Sequence, residues 1–303
     1  MQQDNAAGAR VRQRTTGIEW TDHTWNPFIG CSIKSAGCRN CYAMALAQRL
    51  EGMGQAAYKG LTKEVKGKVV WTGELRRNTD QAMRKPMRLR APSIIFVNSM
   101  SDFFHSNAPI AAQREAWEVM LATPRHQYQV LTKRPENILP WLKAEGIRKV
   151  PAHIWIGTTV EGGEVIDRIA VLKKVPAEIR FLSVEPLISR LGNADIRNIQ
   201  WVITGGESGP GARPMQADWM REVRDLCLKY RVPHFFKQWG KAENNPLWQE
   251  AEGFGFEPGA YVRKLDPVGK GGSLLDRVHW KEMPRGHSVL PYAEGLQEDL
   301  FKA

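Results

Sequence analysis

Residues 94–104 read IIFVNSMSDFF, and the pattern of this stretch recurs along the chain. Ile94 to Asn98 form a run too continuous for a half-exposed strand and suit one covered on both faces. Asn98 to Asp102 then deliver amide, hydroxyl and carboxylate groups directly past the strand end. Six further runs have this form: Trp25 to Ile29, Tyr128 to Thr132, His153 to Thr158, Ile179 to Val184, Trp201 to Thr204, and His234 to Lys237. Amphipathic stretches separate them, and the spacing predicts helices over Cys41 to Glu51, Ala111 to Ala122, Pro135 to Glu145, Gly163 to Val175 and Ala217 to Tyr230. In the last, Met220, Val223, Leu226 and Cys227 mark one buried face, which assigns Cys227 to the core. Short buried strands alternating with helices predict an α/β fold built on a parallel βα barrel.

Three regions are expected: a flexible basic arm over 1–17, the barrel over 18–240 with a Lys- and Arg-rich insertion at about 52–93, and a loop-rich extension over 241–303. Apolar residues make up 42% of the chain, enough for a full core. No run is long enough for a membrane helix, and the polar start lacks the apolar stretch of a signal peptide, so a cytoplasmic protein is expected. The formal charge of +11 favours polyanionic partners such as DNA or RNA, but equally fits a well-solvated basic surface.

In parallel βα architectures the chemistry gathers at the carboxyl ends of the strands. The residues following each run are therefore the candidates: Ser99, Ser101 and Asp102; Lys133; Thr158, Thr159 and Glu161; Glu185; and Gly205, Gly206 and Glu207, with Arg213 six residues on. Gly205, Gly206, Gly209 and Gly211 form a loop able to offer backbone N–H groups to a phosphate, without the Lys-Ser/Thr of a P-loop. After the first run comes GCSIKSAGCRNCYA, residues 30–43, with Cys31, Cys38 and Cys41 spaced C-x6-C-x2-C. Three of the four cysteines within eleven residues are not a dispersed disulfide framework; they point to a metal. A structural zinc would need a fourth ligand, for which His23 and Cys227 are candidates. A [4Fe–4S] cluster held by three thiolates instead leaves one iron open.

These motifs carry a resemblance. The cysteine trio after the first strand resembles the cluster loop of the radical S-adenosylmethionine (SAM) superfamily. The segments IEWTDHTWNPFIGC, NCYA, FVNSMSDFFH, VLTKRPEN, GTTVE, FLSVEPL, WVITGGESGPGARPM and FFKQWG together resemble an uncharacterised three-cysteine family carried by phages and prophages. LTKR and SMSDFF are also similar to the spore photoproduct lyase branch, which acts on DNA. The resemblance runs from about Ile18 to Gly240. Two departures stand out: the first cysteine gap is six rather than the usual three, and the superfamily's usual Gly-Gly-Glu after the second strand is absent, although Gly205, Gly206 and Glu207 spell the same letters after a later strand without carrying over its role.

The resemblance implies a partial, TIM-barrel-like fold, a [4Fe–4S] cluster on Cys31, Cys38 and Cys41, SAM contacts among the rim residues named above, and an external electron donor. It further implies a 5′-deoxyadenosyl radical that abstracts hydrogen from a nucleic acid or nucleotide-derived substrate. Two alternatives stand beside it: the same chemistry on a small metabolite or peptide, and a zinc-stabilised nucleic-acid-binding protein without catalysis. The basic stretch holding Arg76, Arg77, Arg84, Lys85, Arg88 and Arg90 is the candidate phosphate contact.

Overall fold

Alternation along the strands decides which side chains face the centre of the molecule. A computed structural model describes residues 14–247, 266, 269–284, 286 and 287. Seven strands form one sheet: β1 (His23–Trp25), β2 (Ile94–Val97), β3 (Gln127–Thr132), β4 (Ile154–Thr159), β5 (Arg180–Val184), β6 (Trp201–Thr204) and β7 (His234–Phe236). All neighbours are parallel, and spatial order equals chain order, with β1 and β7 as the two edges. The sheet curls into an open half-barrel, a partial version of the TIM-barrel plan.

Its outer face carries Ile95, Val97, Tyr128, Val130, Ile154, Ile156, Leu182, Val184, Val202 and Phe236. Apolar residues of α2 (Ile110–Ala122), α3 (Ile138–Ala144), α4 (Asp167–Leu172) and α5 (Ala217–Tyr230) complete this core, while α1 (Tyr42–Gly52) joins a smaller one with Ile29, Leu61 and Trp71. The inner face carries the intervening residues: Phe96, Trp155, Phe181, Trp201, Ile203 and Phe235, joined by Trp20. Trp20 meets Phe96 edge-on at 4.8 Å, and Trp155 meets Trp201 at 5.9 Å, so rings fill the lower half of the bowl. Each fully buried large apolar side chain contributes about 1.5–3 kcal/mol, which makes this floor a stabilising element as well as a barrier to water.

Residues 280–282 run alongside β7 at the sheet edge. Phe235 pairs antiparallel with Lys281, the Trp201 indole donates to the Glu282 carbonyl at 2.9 Å, and Lys281 joins Glu19 at 2.5 Å across the open side. Residues 14–17, expected within the flexible arm, are engaged: the Thr15 amide donates to the Asp22 carbonyl at 2.9 Å. Residues 1–13 and most of the expected extension lie outside the described residues.

The insertion contains a hairpin of its own. Thr62–Val65 and Lys68–Trp71 form a hairpin whose turn residues Lys66 and Gly67 both have positive φ, as a two-residue hairpin turn requires. Arg76–Arg77 pairs with Phe28–Ile29, so the predicted run Trp25 to Ile29 divides: its end leaves the sheet and aims the chain at Cys31.

Candidate functional site

Beyond their last inner aromatic residues, the strands carry polar groups with the same inward alternation: Lys133 after Leu131, Glu161 after Thr159, Glu185 after Ser183, Glu207 after Gly205, and Lys237 after Phe235. This polar ring sits above the aromatic floor, and the cysteine loop lies across it.

The loop begins at Gly30, whose φ of +95° and the approach of the Glu74 carbonyl leave no room for a side chain. The Gly30 amide donates to the Met100 carbonyl at 3.1 Å, and Ser101 Oγ donates to the Gly30 carbonyl at 2.6 Å. Cys38 ends a 3-10 turn, Ala36–Cys38, and Cys41 caps α1. Four strand-end loops hold this segment. From β3, Arg134 donates to Ser32 Oγ at 2.9 Å and pairs with Asp102 at 2.8 Å. From β4, Glu161 accepts from Ser35 Oγ at 2.6 Å and also pairs with Lys133 at 2.5 Å and Arg168 at 2.9 Å. From β6, Glu207 accepts from Asn40 at 2.8 Å and pairs with Arg213, which donates to the Ala36 carbonyl at 3.1 Å. From β2, the Ser99 carbonyl accepts from the Tyr42 hydroxyl at 3.1 Å.

These partners set the charge states. Burial pushes the Glu161 carboxyl up, but Lys133, Ser35 and Arg168 outweigh it and hold the group below the ordinary carboxylate range. Glu207 is likewise held low against burial by Arg213 and Asn40. Both are ionised, buried and paired, the condition under which breaking one partner is costly.

The thiols share one space. Burial first, then the charge of Asp102, with smaller contributions from Cys41 and Cys38 and against the opposing Arg134, pushes Cys31 up to about 12. Burial also raises Cys41, opposed by the backbone amides of Ala43 and Met44. The Lys34 amide donates to Cys38 Sγ at 3.5 Å. Among the described residues, no three or more His, Cys, Asp or Glu side chains close on one point as a single ion requires. The two fourth ligands considered for zinc lie elsewhere: His23 starts β1 with Thr15 at 2.7 Å, and Cys227 is in the outer core on α5. Cys31, Cys38 and Cys41, on one loop and one of them met by an amide N–H, are the residues here that could hold a metal group as thiolates.

The candidate rim residues divide by what they touch. Ser99, Ser101 and Asp102 are spent on the loop, and Lys133, Glu161 and Glu207 on its clamps. Thr158 faces outward on β4, donating to the Thr132 carbonyl at 2.9 Å, while the Thr159 carbonyl accepts from Arg168. Gly205 leaves space for the Glu185 carboxylate, and Gly206 for the backbone of Trp239, so these two glycines serve close packing. Glu185 is held more loosely, at 3.3 Å from both Lys237 and the Trp20 indole. Sequence reasoning passed over Ser32, Ser35, Asn40, His105, Arg134, Arg168 and Lys237. Arg134 and His105 stand beside residues that it did single out, in LTKR and SDFFH.

A family model described as "Protein of unknown function (DUF5131)" matches residues 15–284. The chain belongs to this family. No curated protein matches the DUF5131 chain in sequence. Solved structures of spore photoproduct lyase are similar to it at low identity. A mutant of that lyase gives 12% identity and a TM-score of 0.44 over 76% of this chain and 80% of that one. The lyase complexed with dinucleoside spore photoproduct gives 13% and 0.38, over 74% and 66%. A double mutant with bound AdoMet and dinucleoside spore photoproduct gives the same values. Among the described residues no helix is long and apolar enough to cross a membrane.

Proposed function

We propose that this DUF5131 chain is a radical SAM enzyme whose [4Fe–4S] cluster is held by Cys31, Cys38 and Cys41. The observation that carries the reading is the placement of three neighbouring thiols on one loop, clamped by four strand ends over the inward polar ring of an open parallel half-barrel. Held by Cys31, Cys38 and Cys41, a cluster with SAM would supply one-electron reductive chemistry at the sulfonium centre, of the kind that generates a 5′-deoxyadenosyl radical. The chain's own groups position and shield. Glu161 and Glu207, fixed by their cations, lock the loop; Glu185 and Lys237 face the bowl with the weakest internal commitments and are the groups offered to SAM or substrate. The aromatic floor excludes water from below, as radical chemistry requires. An external donor supplies the electron. The substrate in this reading is a nucleic acid or nucleotide, supported by the charge of +11.

Anaerobic reconstitution tests the proposal. Expected are brown protein with iron and sulfide near four per chain, and, after reduction, slow release of 5′-deoxyadenosine and methionine from SAM. A fully loaded, reduced protein that leaves SAM intact would remove the radical reading; colourless protein with about one zinc per chain would support the non-catalytic binding module.

A further inference from the structure

Arg39, Arg49, Lys59, Lys63, Lys66 and Lys68 are all exposed, and among the described residues no side-chain hydrogen bond or ion pair engages any of them. Only two carboxylates accompany them over residues 39–68, Glu51 and Glu64, and Glu51 already accepts from the Gly60 amide at 3.0 Å. The basic stretch singled out from sequence is more committed: Arg76 is paired with Glu74, Arg77 with Glu115 and Asp80, and Lys85 donates to the Thr24 carbonyl. A cation already beside a carboxylate presents little net charge to a further anion. The six unpaired cations lie on the cysteine loop, α1 and the hairpin. Ala43, Met44 and Ala47 of α1 pack with Leu61 and Trp71 in the small core that Cys31 and Cys41 also touch. The Gly73 amide, two residues past the hairpin, donates to the Cys31 carbonyl at 3.2 Å, so the hairpin rises from the cysteine loop itself. Residues 63–68 are exposed without a break, although successive strand residues point to opposite faces. The tip is therefore solvated on both sides and stands clear of the body. Lysines on exposed edge strands also discourage edge-to-edge pairing, an explanation that does not reach Arg39, Arg49 and Lys59, which lie off the strands.

We propose that α1 and this hairpin form the surface that holds the phosphodiester backbone of a nucleic acid beside the cysteine loop. The inference rests on the proposed function for its substrate class and adds the surface that takes it. Flexible ammonium groups on a narrow ribbon suit a repeating row of phosphates, each contact releasing condensed counterions. An acidic protein fits this surface less well. A stable protein interface takes roughly 800 Å² on each partner around an apolar core, whereas the tip is two strands wide and its exposed apolar residue, Val65, stands among lysines. Because the contacts go to phosphates, the surface positions a strand without reading its sequence.

Binding of labelled single-stranded and duplex DNA and RNA to the full chain, over a series of salt concentrations, tests it. The combined variant Lys63→Gln, Lys66→Asn and Lys68→Gln should lower the log–log salt slope by about two to three units, nearly one per lost contact, whatever the sequence. Asn-Gly suits the positive-φ turn at 66 and 67, so the hairpin is kept. Lys63→Arg with Lys68→Arg, which keeps the charge, should bind as wild type does. Lys143, Lys149 and Lys174 are exposed on the segments that lead into β4 and β5, at the opposite end of the strands. Changing these three to Gln removes the same charge and should move the slope by less than about one unit. Equal slopes in the two triple variants would overturn the proposal, as would an arginine variant that binds as weakly as the hairpin triple. A hairpin triple that binds nucleic acid normally but is no longer reduced by an acidic electron-transfer protein would also overturn it, by making the surface a donor's. Wild-type protein that cleaves SAM yet binds no oligonucleotide ends this inference and leaves the radical chemistry standing. Wild-type protein that binds through the hairpin but takes up no iron upholds the surface and removes that chemistry.

Discussion

Gly37→Ala should do damage out of proportion to one methyl group. A β-carbon there would lie 2.5 Å from both Cγ and Oε1 of Glu161 and 2.8 Å from Cδ. Ordinary contact requires the carboxylate or the loop to move by roughly 1 Å. Glu161 cannot move freely, because Ser35, Lys133 and Arg168 hold it at 2.6, 2.5 and 2.9 Å. Overpacking costs about 1–3 kcal/mol, and weakening a charged hydrogen bond adds about 1.5–3 kcal/mol when lost outright. We expect a net destabilisation of about 3 kcal/mol in urea unfolding of the full chain, with reduced iron uptake after reconstitution. Gly52→Ala is the control: nothing lies within 4 Å of its position, and it ends α1 without positive φ. That substitution should be neutral or stabilising by up to about 1 kcal/mol. If Gly37→Ala unfolds within about 0.5 kcal/mol of wild type and loads iron normally, the loop is not clamped by Glu161 as the geometry requires.

Cys31→Ala, Cys38→Ala and Cys41→Ala should each abolish iron binding, whereas Cys227→Ala should retain it; equal loss in all four would replace the open three-cysteine site with a four-cysteine one. His105 has a folded pKa of about 4, below its unfolded value, so the unfolded chain binds more protons between them and stability should fall as pH drops from about 6.5 toward 4. His105→Phe should flatten that part of a pH series of urea midpoints, and an unchanged slope would show that the ring is not neutral as argued. In the basic stretch, Arg77 is already paired with Glu115 and Asp80, and Lys85 donates to the Thr24 carbonyl at 2.7 Å. Neutralising Arg84, Arg88 and Arg90 should therefore flatten the salt dependence of oligonucleotide binding by nearly one unit each, and Arg77→Gln by much less; equal effects from all four would refute the ranking.

The strand frame was legible because continuous apolar runs bounded by polar residues have few other folds open to them. Trp201–Thr204 and Ala217–Tyr230 appear at their predicted bounds, and the other strands within one or two residues, apart from the divided first run. The stretches Pro135 to Glu145 and Gly163 to Val175 are less regular than expected, each opening in a 3-10 turn before the helix. The hairpin of the insertion was hidden because Thr62–Val65 is mostly solvated and has no apolar alternation to read. The clamps were hidden for a different reason. Arg134 and Ser32 are 102 residues apart, and only the parallel register of β1, β2 and β3 makes them neighbours. Thr158 shows the limit of reading position without face: it follows the strand run as expected, yet alternation turns it toward β3.

Spatial order equal to chain order has a consequence for biogenesis. The three thiols are synthesised early, while the side chains that secure them arrive late, ending with Arg213. At roughly 5–20 residues per second, the interval between Cys41 and Arg213 is on the order of 10–30 s. During it the nascent thiols lack their β6 clasp, and for much of it Arg134 and Glu161 as well. Under the proposed function, iron and sulfide delivered to a nascent chain would meet a loop without its mould, so we expect loading only after release.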